Sequence, residues 1–537
     1  MEPIIYKMLA YIRHYKLWLS IAAGVIAIVV YARFCNNMEY NPHLEIMPRE
    51  FYTRGVATLL IIIWVIITCI PIMHVHYADK TGGRSFLKDR NHYDRSYWEL
   101  IRYYRDADPY RMQDKDLPIE NWKHSEGIIF GKVGSRLIKR SAFEKGGDGV
   151  NIALFGLPGA GKTAAGLIPT ALVYGGSILA IDIKGDILNA TRNHRRIRIF
   201  APDDPRHSCH YNPLAGVSEL NSLERRIFFE QIASVLIPEE REKYWYKTGR
   251  SLFTGISLYL ISMNHYITLP DIAHAILQGD AVYWITKIKN SDCLDAKDYT
   301  DGLYGSNEVN LQGAYGSLAE AVRPFSFGSM AELLRDADDA LSPATLDDGY
   351  DIYVEIPQNL IKVYSPITTI LVQNFMTEFM KRPDRSSGER PQPVLFMLDE
   401  FPQLRFGDFD TLSAALSTLR SRSVSVMLAQ QSVAQIINRY SEDCCREIID
   451  TCSYLSIMSA QDPQSREFFQ KLIGTKKVLK MTSNSSDSNG VMGSSNRGSN
   501  EDREPIFREG DFSNLGDKTI IYALGKYILA EKIYWFK

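Results

Sequence analysis

GLPGAGKT, residues 156–163, decides the fold of this chain. Gly156, Gly159 and Gly161, spaced by Leu157, Pro158 and Ala160 and closed by Lys162 and Thr163, satisfy G-x-x-x-x-G-K-[ST]. Small residues let successive backbone N–H groups curve around an anion, and the helix that follows points its positive end at it. A lysine closing such a loop reaches the β- and γ-phosphates of a nucleotide, and the threonine hydroxyl after it suits Mg²⁺. The loop lies between an apolar run, NIALFG (151–156), and a helix-like KTAAGLI that Pro169 should kink or end early.

Outward from the loop, short β-rich runs alternate with amphipathic stretches from about residue 120, the mark of an α/β sheet. The candidate strands are SILAIDI (177–183), RIRIFA (196–201), DIYVEI (351–356), PVLFML (393–398), SVSVMLA (423–429), SYLSIMS (453–459) and TIIYALG (519–525). A last run, YILAEKIYWF (527–536), alternates apolar and polar in part, like an edge strand with one face buried. Residues 265–345 lack such runs and read as short helices, so an all-α insertion is expected there, inside a nucleotide-binding domain formed by 120–264 and 346–537. Residues 482–502 are Ser/Asn/Gly-rich and read as a loop.

A P-loop NTPase also needs a carboxylate at the end of a second strand. In PVLFMLDE, Val394 to Leu398 are all apolar, as a strand covered on both faces would be, and Asp399 and Glu400 follow. Their expected roles are Asp399 orienting Mg²⁺ through its water shell and Glu400 positioning and deprotonating the attacking water, although such a pair can also cap a helix. Adjacent Asp-Glu favours ATP-driven motors over GTPase switches, and no N-K-x-D guanine signal stands near the right strand, so ATP with Mg²⁺ is expected. In LRSRSVSVMLAQQS, Gln430 and Gln431 end a strand, where a polar residue can sense the γ-phosphate. Arg420 and Arg422 begin it, far from the same subunit's nucleotide; either could complete a neighbour's site in trans, or face solvent or DNA.

At 537 residues the chain is long enough for two or three domains, and 45% hydrophobic content supports a large core. A formal net charge of −2 argues neither for nor against nucleic acid, so any such contact would come from local patches such as Arg192, Arg195, Arg196 and Arg198, or Lys476, Lys477 and Lys480. The seven cysteines have no zinc-ribbon spacing and read as reduced thiols of a cytosolic body. The N-terminus differs. Residues 17–32 carry no charge and are flanked by Lys16 and Arg33; residues 55–73 are uncharged and nearly of the ~20-residue length that spans a bilayer. No small-x-small cleavage site directly follows the first run, which argues against a signal peptide. The expected layout is a tail over 1–16, a two-helix transmembrane hairpin over 17–75 with a short periplasmic loop (33–54), and a connector over 76–119, both ends being cytoplasmic.

Taken in order, these motifs resemble one family nearly end to end: the coupling proteins of type IV secretion and conjugation systems. After the phosphate loop come Ile181-Asp182-Ile183-Lys184-Gly185-Asp186, Asn212-Pro213-Leu214, the Leu-Asp-Glu-Phe-Pro of residues 398–402, and Gln431-Ser432-Val433-Ala434-Gln435; a Ser-rich loop precedes a closing strand pair. The resemblance implies an inner-membrane, RecA-like P-loop ATPase that assembles as a homo-hexamer around a channel. An all-α domain would cap its cytoplasmic end. It would bring relaxase-bound single-stranded DNA or protein substrates to the secretion channel and that channel's other ATPases. By motif, Lys162 and Thr163 would bind nucleotide and Mg²⁺, Asp399 and Glu400 would serve hydrolysis, Gln431 would be the sensor and Arg420 the trans-acting arginine. Departures are Leu157-Pro158, where relatives often carry a hydroxyl residue, and Asp186 in place of Glu. The acidic tail of some relatives is not in this sequence, so partner recognition is expected within 265–345. Two other readings stand beside it: a cell-division-type DNA translocase, which normally adds spans, a long linker and a winged-helix reader, and a protein-effector receptor whose ATPase is mainly a conformational switch, which the near-neutral net charge permits.

Overall fold

The structure is a computed structural model that describes residues 110–112, 126–141, 149–239, 242–384, 391–407, 409–484 and 496–536. The hairpin expected over 17–75 lies outside the described residues, and among those described no helix is long and apolar enough to cross a membrane. Two compact units divide the chain: Arg111–Ile473 with Phe507–Lys537, and Gly474–Ile506 with the segment ending at Tyr110.

The larger unit is built on a sheet of eleven strands. In chain order these are β1 (Ile128–Val133), β2 (Arg136–Arg140), β3 (Asn151–Phe155), β4 (Ser177–Asp182), β5 (Ile197–Phe200), β6 (Asp351–Glu355), β7 (Val394–Leu398), β8 (Val424–Gln430) and β9 (Tyr454–Ile457), with β12 (Lys518–Ala523) and β13 (Lys526–Glu531). Across the sheet the order is β2-β1-β13-β12-β9-β3-β8-β7-β4-β6-β5. From β9 to β5 every pairing is parallel, so these strands all present their C-terminal ends at one edge. That edge of a parallel sheet is where loops meet ligands. β3, β4, β7 and β8 are buried along their whole length, which explains their continuous apolar runs.

All nine strand-like runs of the sequence form strands, with two corrections. The last is no edge: β13 pairs antiparallel with both β12 and β1, and it ends at Glu531 instead of continuing to residue 536. It stops because the Lys532 side chain turns in, is 7% exposed, and donates to the carbonyls of Gly516 at 2.7 Å and Met458 at 3.3 Å. The β1–β2 hairpin was not foreseen; Gly134, at φ 60°, and Ser135 separate its strands, a two-residue hairpin signal in IIFGKVGSRLIKR.

Between β5 and β6 the chain is helical from Ser222 to Asp347, a longer stretch than 265–345. The helix Ser222–Leu236 opens with a capping box, the Asn221 side chain accepting from the Glu224 N–H at 3.0 Å and Glu224 bonding back. The next helix, Lys243–Met263, packs within that helical set: a Cβ placed on Gly255 would stand 2.8 Å from the Thr300 methyl. Arg226 joins the two parts by pairing with Asp295 and Asp298, both at 2.6 Å.

The arginine cluster around β5 also separates into roles. Arg195 forms an ion pair with buried Asp351 and donates to the carbonyls of Ala171, Tyr174 and Gly176, so it ties β6 to the strand–helix layer and is not available to DNA. Breaking such a buried pair costs about 3–5 kcal/mol. Arg196 and Arg198 lie over the Tyr350 ring at 4.0 and 5.0 Å.

In the smaller unit, β10 (Thr475–Asn484) and β11 (Asn496–Pro505) pair antiparallel from Thr475↔Pro505 to Asn484↔Asn496. These strands reach well into the stretch read from composition as a loop. Ladder hydrogen bonding uses backbone groups alone, so a polar Ser/Asn/Gly segment sustains it without an apolar face.

Candidate nucleotide and hydrolysis site

β3 ends at Phe155, and the chain turns through residues 156–161 into a helical segment that begins as a wide π-type turn, Lys162–Leu167, and continues as an α-helix, Ile168–Val173. Pro169 stands where one form gives way to the other; it has no N–H to bond back along the helix, which accounts for the change. Gly159 and Gly161 have φ of 79° and 99°, a region that costs other residues strain, so the curve of the loop needs glycine at those positions. Gly166 serves packing instead: a Cβ there would come within 2.6 Å of Leu154, and its absence lets the helix settle on β3. The loop is pinned on both sides. The Gly156 N–H donates to the Gln430 carbonyl at 3.1 Å, and the Leu157 N–H donates to the Ser459 hydroxyl at 2.9 Å. Ser459 was not singled out from sequence; it follows β9 as Gln431 follows β8.

β8 lies between the phosphate-loop strand β3 and the carboxylate strand β7. The side chains of Asp399, Glu400 and Gln431 therefore meet at one edge with Lys162 and Thr163. The Lys162 amine is 6% exposed, donates to the Gly156 carbonyl at 2.6 Å, and lies 3.9 Å from a Glu400 carboxylate oxygen. Burial pulls its pKa below the usual lysine value, while the charges of Glu400 and Asp399 oppose that shift. The Thr163 hydroxyl is 3.5 Å from Asp399 Oδ2. Asp399 accepts the Glu400 N–H at 3.0 Å, and its carboxyl is raised to about 6, first by burial and then by the neighbouring Glu400 charge, with Lys162 pulling the other way.

Glu400 occupies the left-handed region at φ 50°. For a non-glycine residue this costs roughly 1 kcal/mol or more, and it turns the side chain away from the line of β7 toward the tip of β8. There the Gln431 amide donates to both Glu400 oxygens, at 3.1 and 3.2 Å, and Gln431's own N–H donates to Gln435 Oε1 at 3.2 Å. The glutamine motif thus holds the carboxylate. Gln430 is fully buried, and its side-chain amide finds no partner.

Arg420 is placed apart. It lies beyond the N-terminal end of β8, where its carbonyl accepts the Gly149 N–H at 2.7 Å, whereas Gln431 lies past the opposite end. Seven strand residues at ~3.3 Å each put the two on the order of 20 Å apart. The two arginines differ in their ion pairing: Arg422 pairs with Asp384 at 3.5 Å, while Arg420 has no carboxylate within ion-pair distance among the described residues; the Nε of each is buried without a hydrogen-bond partner. The Asp182 of the Lys-Gly motif is a structural cap. It is buried, accepts the Leu188 N–H at 2.8 Å, and is raised to about 6 chiefly by burial.

The donor set suits Mg²⁺. A hydroxyl and a carboxylate converge as hard oxygen ligands, and the desolvated, mutually repelling Asp399 and Glu400 are a pair that a divalent cation stabilises. Among the described residues no group of three or more His, Cys, Asp and Glu is arranged to hold a metal ion.

The chain is similar to several known proteins. Protein VirD4 of Agrobacterium fabrum is 23% identical over 371 residues, 66% of this chain and 54% of that protein. The type IV secretion system-coupling protein VirD4 of Bartonella henselae is 21% identical over 344 residues, 60% of this chain and 53% of the relative. The chain therefore spans about half the length of these curated relatives. Among solved structures, the bacterial conjugative coupling protein TrwBdeltaN70 superposes with a TM-score of 0.57 at 16% identity, covering 77% of this chain and 90% of its own. TrwB in complex with ADP and Mg²⁺ gives 0.56 at 15% identity, covering 80% and 92%. The mixed α/β fold with a large parallel sheet is thus the TrwB fold, and it fits a RecA-like nucleotide-binding domain. The family model for type IV secretory system conjugative DNA transfer matches residues 111–537, and the chain belongs to that family.

Proposed function

We propose that this chain is the coupling ATPase of a type IV secretion or conjugation system, hydrolysing ATP to recruit and move relaxase-bound single-stranded DNA, or protein substrates, toward the secretion channel. The observation that carries this reading is the Glu400 carboxylate, held from one side by the Gln431 amide and faced from the other by Lys162 at 3.9 Å. A carboxylate fixed in that way is aimed to take a proton from a water in line with the γ-phosphate. Lys162 leaves the Gly156 carbonyl for the phosphates, and its burial makes that charge count for more than it would in water. The loop amides from Gly159 to Thr163 cradle the phosphate chain. Thr163 and Asp399 would hold Mg²⁺, which would supply neutralisation of the phosphate charge. Gln431 is the sensor: it bonds Glu400 and, through Gln435, the helix Val433–Arg439, so a change at the γ-phosphate is passed to that helix.

DNA binding draws support from a cleft of about 630 Å³ whose lining includes Lys362, Arg405 and Arg439 and no acidic side chain. Arg439 also donates to the carbonyls of Pro402 and Gln403, in the turn that follows Glu400. The test is ATP hydrolysis by the full chain in detergent with and without single-stranded DNA. Stimulation by DNA, weakening steeply between about 50 and 200 mM salt and insensitive to sequence, is expected for backbone contacts. Hydrolysis indifferent to DNA at every salt concentration would sink the motor reading in favour of a protein-effector receptor.

The chain is further proposed to sit in the bacterial inner membrane with two spans and a cytoplasmic body, and to work as a homo-hexamer. The two uncharged stretches over 17–32 and 55–73 support the topology. A reporter active only in the periplasm should give signal when inserted near Pro42 and none when fused after Lys537; the reverse pattern overturns this topology.

A further inference from the structure

The residues that act on the γ-phosphate all lie on one flank of the phosphate loop. Glu400 and Gln431 come from β7 and β8, and Lys162 leans toward them. A nucleotide held with its γ-phosphate there must send its nucleoside the other way, across the flank formed by β9, β12 and β13. That flank is covered by the last described residues. After β13, Lys532 is anchored to Gly516 and Met458, the Tyr534 hydroxyl donates to Asp517 Oδ1 at 3.1 Å, and the Trp535 N–H donates to the Ala164 carbonyl at 3.2 Å. The segment is thereby tied to the residue that follows Thr163. The Tyr534 ring lies against the loop itself: a Cβ on Gly161 would stand 3.4 Å from its Cε1 and 3.6 Å from its hydroxyl.

The rings then run outward, Tyr534 to Phe536 at 5.6 Å and Trp535 to Phe536 at 5.9 Å between centroids. Trp535 is 46% exposed and Phe536 61%, a large aromatic area left in water beside a phosphate site. We propose that Tyr534, Trp535 and Phe536 form the shelf on which the nucleobase stacks, with Tyr534 closing the loop on the ribose side. This rests on the nucleotide-binding reading above and adds the base subsite to it. Stacking reads a π face and not a hydrogen-bonding edge, so the shelf accepts adenine and guanine alike and discriminates nucleotides from bare polyphosphate.

The test is equilibrium binding to the full chain in detergent with Mg²⁺, using ADPNP, GDPNP and inorganic tripolyphosphate as probes, for the wild type, Trp535→Ala and Tyr534→Ala. The expected result is ADPNP and GDPNP affinity about tenfold weaker in each variant, as loss of one stacked ring gives, with tripolyphosphate affinity unchanged. A second readout is tryptophan fluorescence: ADPNP should quench the wild type more than Trp535→Phe, the other six of the seven tryptophans being common to both. Unchanged ADPNP affinity with equal quenching overturns the shelf while leaving the phosphate site standing. Equal loss of tripolyphosphate and ADPNP overturns it too, by making Tyr534 and Trp535 props of the loop. A wild type that binds none of the three probes overturns the phosphate-site reading itself, and the shelf with it.

Discussion

Glu400→Gln is expected to bind ATP as the wild type does and to hydrolyse it at least about a hundredfold more slowly, the usual cost of losing a positioned general base. The substitution keeps size and the capacity to accept from Gln431, so the left-handed turn and the bond at 3.1 Å have no reason to change. What is lost is the proton acceptor. Lys162→Ala should fail differently. Its amine is nearly buried and is the only side-chain cation reaching both Gly156 and Glu400 among the described residues, so removing it should abolish turnover and weaken nucleotide binding together. The measurement is a nucleotide-binding isotherm beside a single-turnover assay for each variant. Wild-type hydrolysis by Glu400→Gln would reassign the base, and Asp399 would be the residue to examine next.

The parts of this site that the sequence made legible are those whose chemistry is local. A phosphate loop must bend and must end in a cation, so its glycines, Lys162 and Thr163 stand together within eight residues, and a strand buried on both faces leaves an unbroken apolar run such as β7 ahead of Asp399 and Glu400. The partners set by strand order were less visible. Nothing local says that β8 inserts between β3 and β7, which is what brings Gln431 onto Glu400, or that Ser459 at the end of β9 holds the Leu157 N–H from the other side. Charge patterns misled where a charge is structural. Arg195 belongs to a run of basic residues that reads as a nucleic-acid patch, but its guanidinium is spent on Asp351 and three carbonyls. The helical boundary moved for a related reason: Lys243–Met263 is long and largely buried, and only its contacts with Thr300 and its neighbours assign it to the helical part.

The second large effect concerns Arg420, which is expected to act on the site of an adjoining subunit. Within one chain it stands on the order of 20 Å from Gln431, farther than one side chain reaches, so it has no route to its own γ-phosphate. Its side chain is half-buried and pairs with no carboxylate among the described residues, so its charge is left for a partner that assembly would supply. Arg422, two residues on, is already paired with Asp384, and Arg422→Ala should therefore change turnover little. An arginine supplied in trans is worth about 10³–10⁵ in the rate of phosphoryl transfer, so Arg420→Ala should lower turnover about a thousandfold while each subunit still binds nucleotide. Two further results separate a trans role from a fold defect. Specific activity of the wild type should rise with protein concentration as rings form. Mixing Arg420→Ala with Lys162→Ala, each inactive alone, should restore part of the activity, because some interfaces then join an intact phosphate loop to an intact Arg420. Activity independent of concentration, with a mixture as inactive as its components, would return Arg420 to the role of a surface charge and leave hydrolysis complete within one subunit.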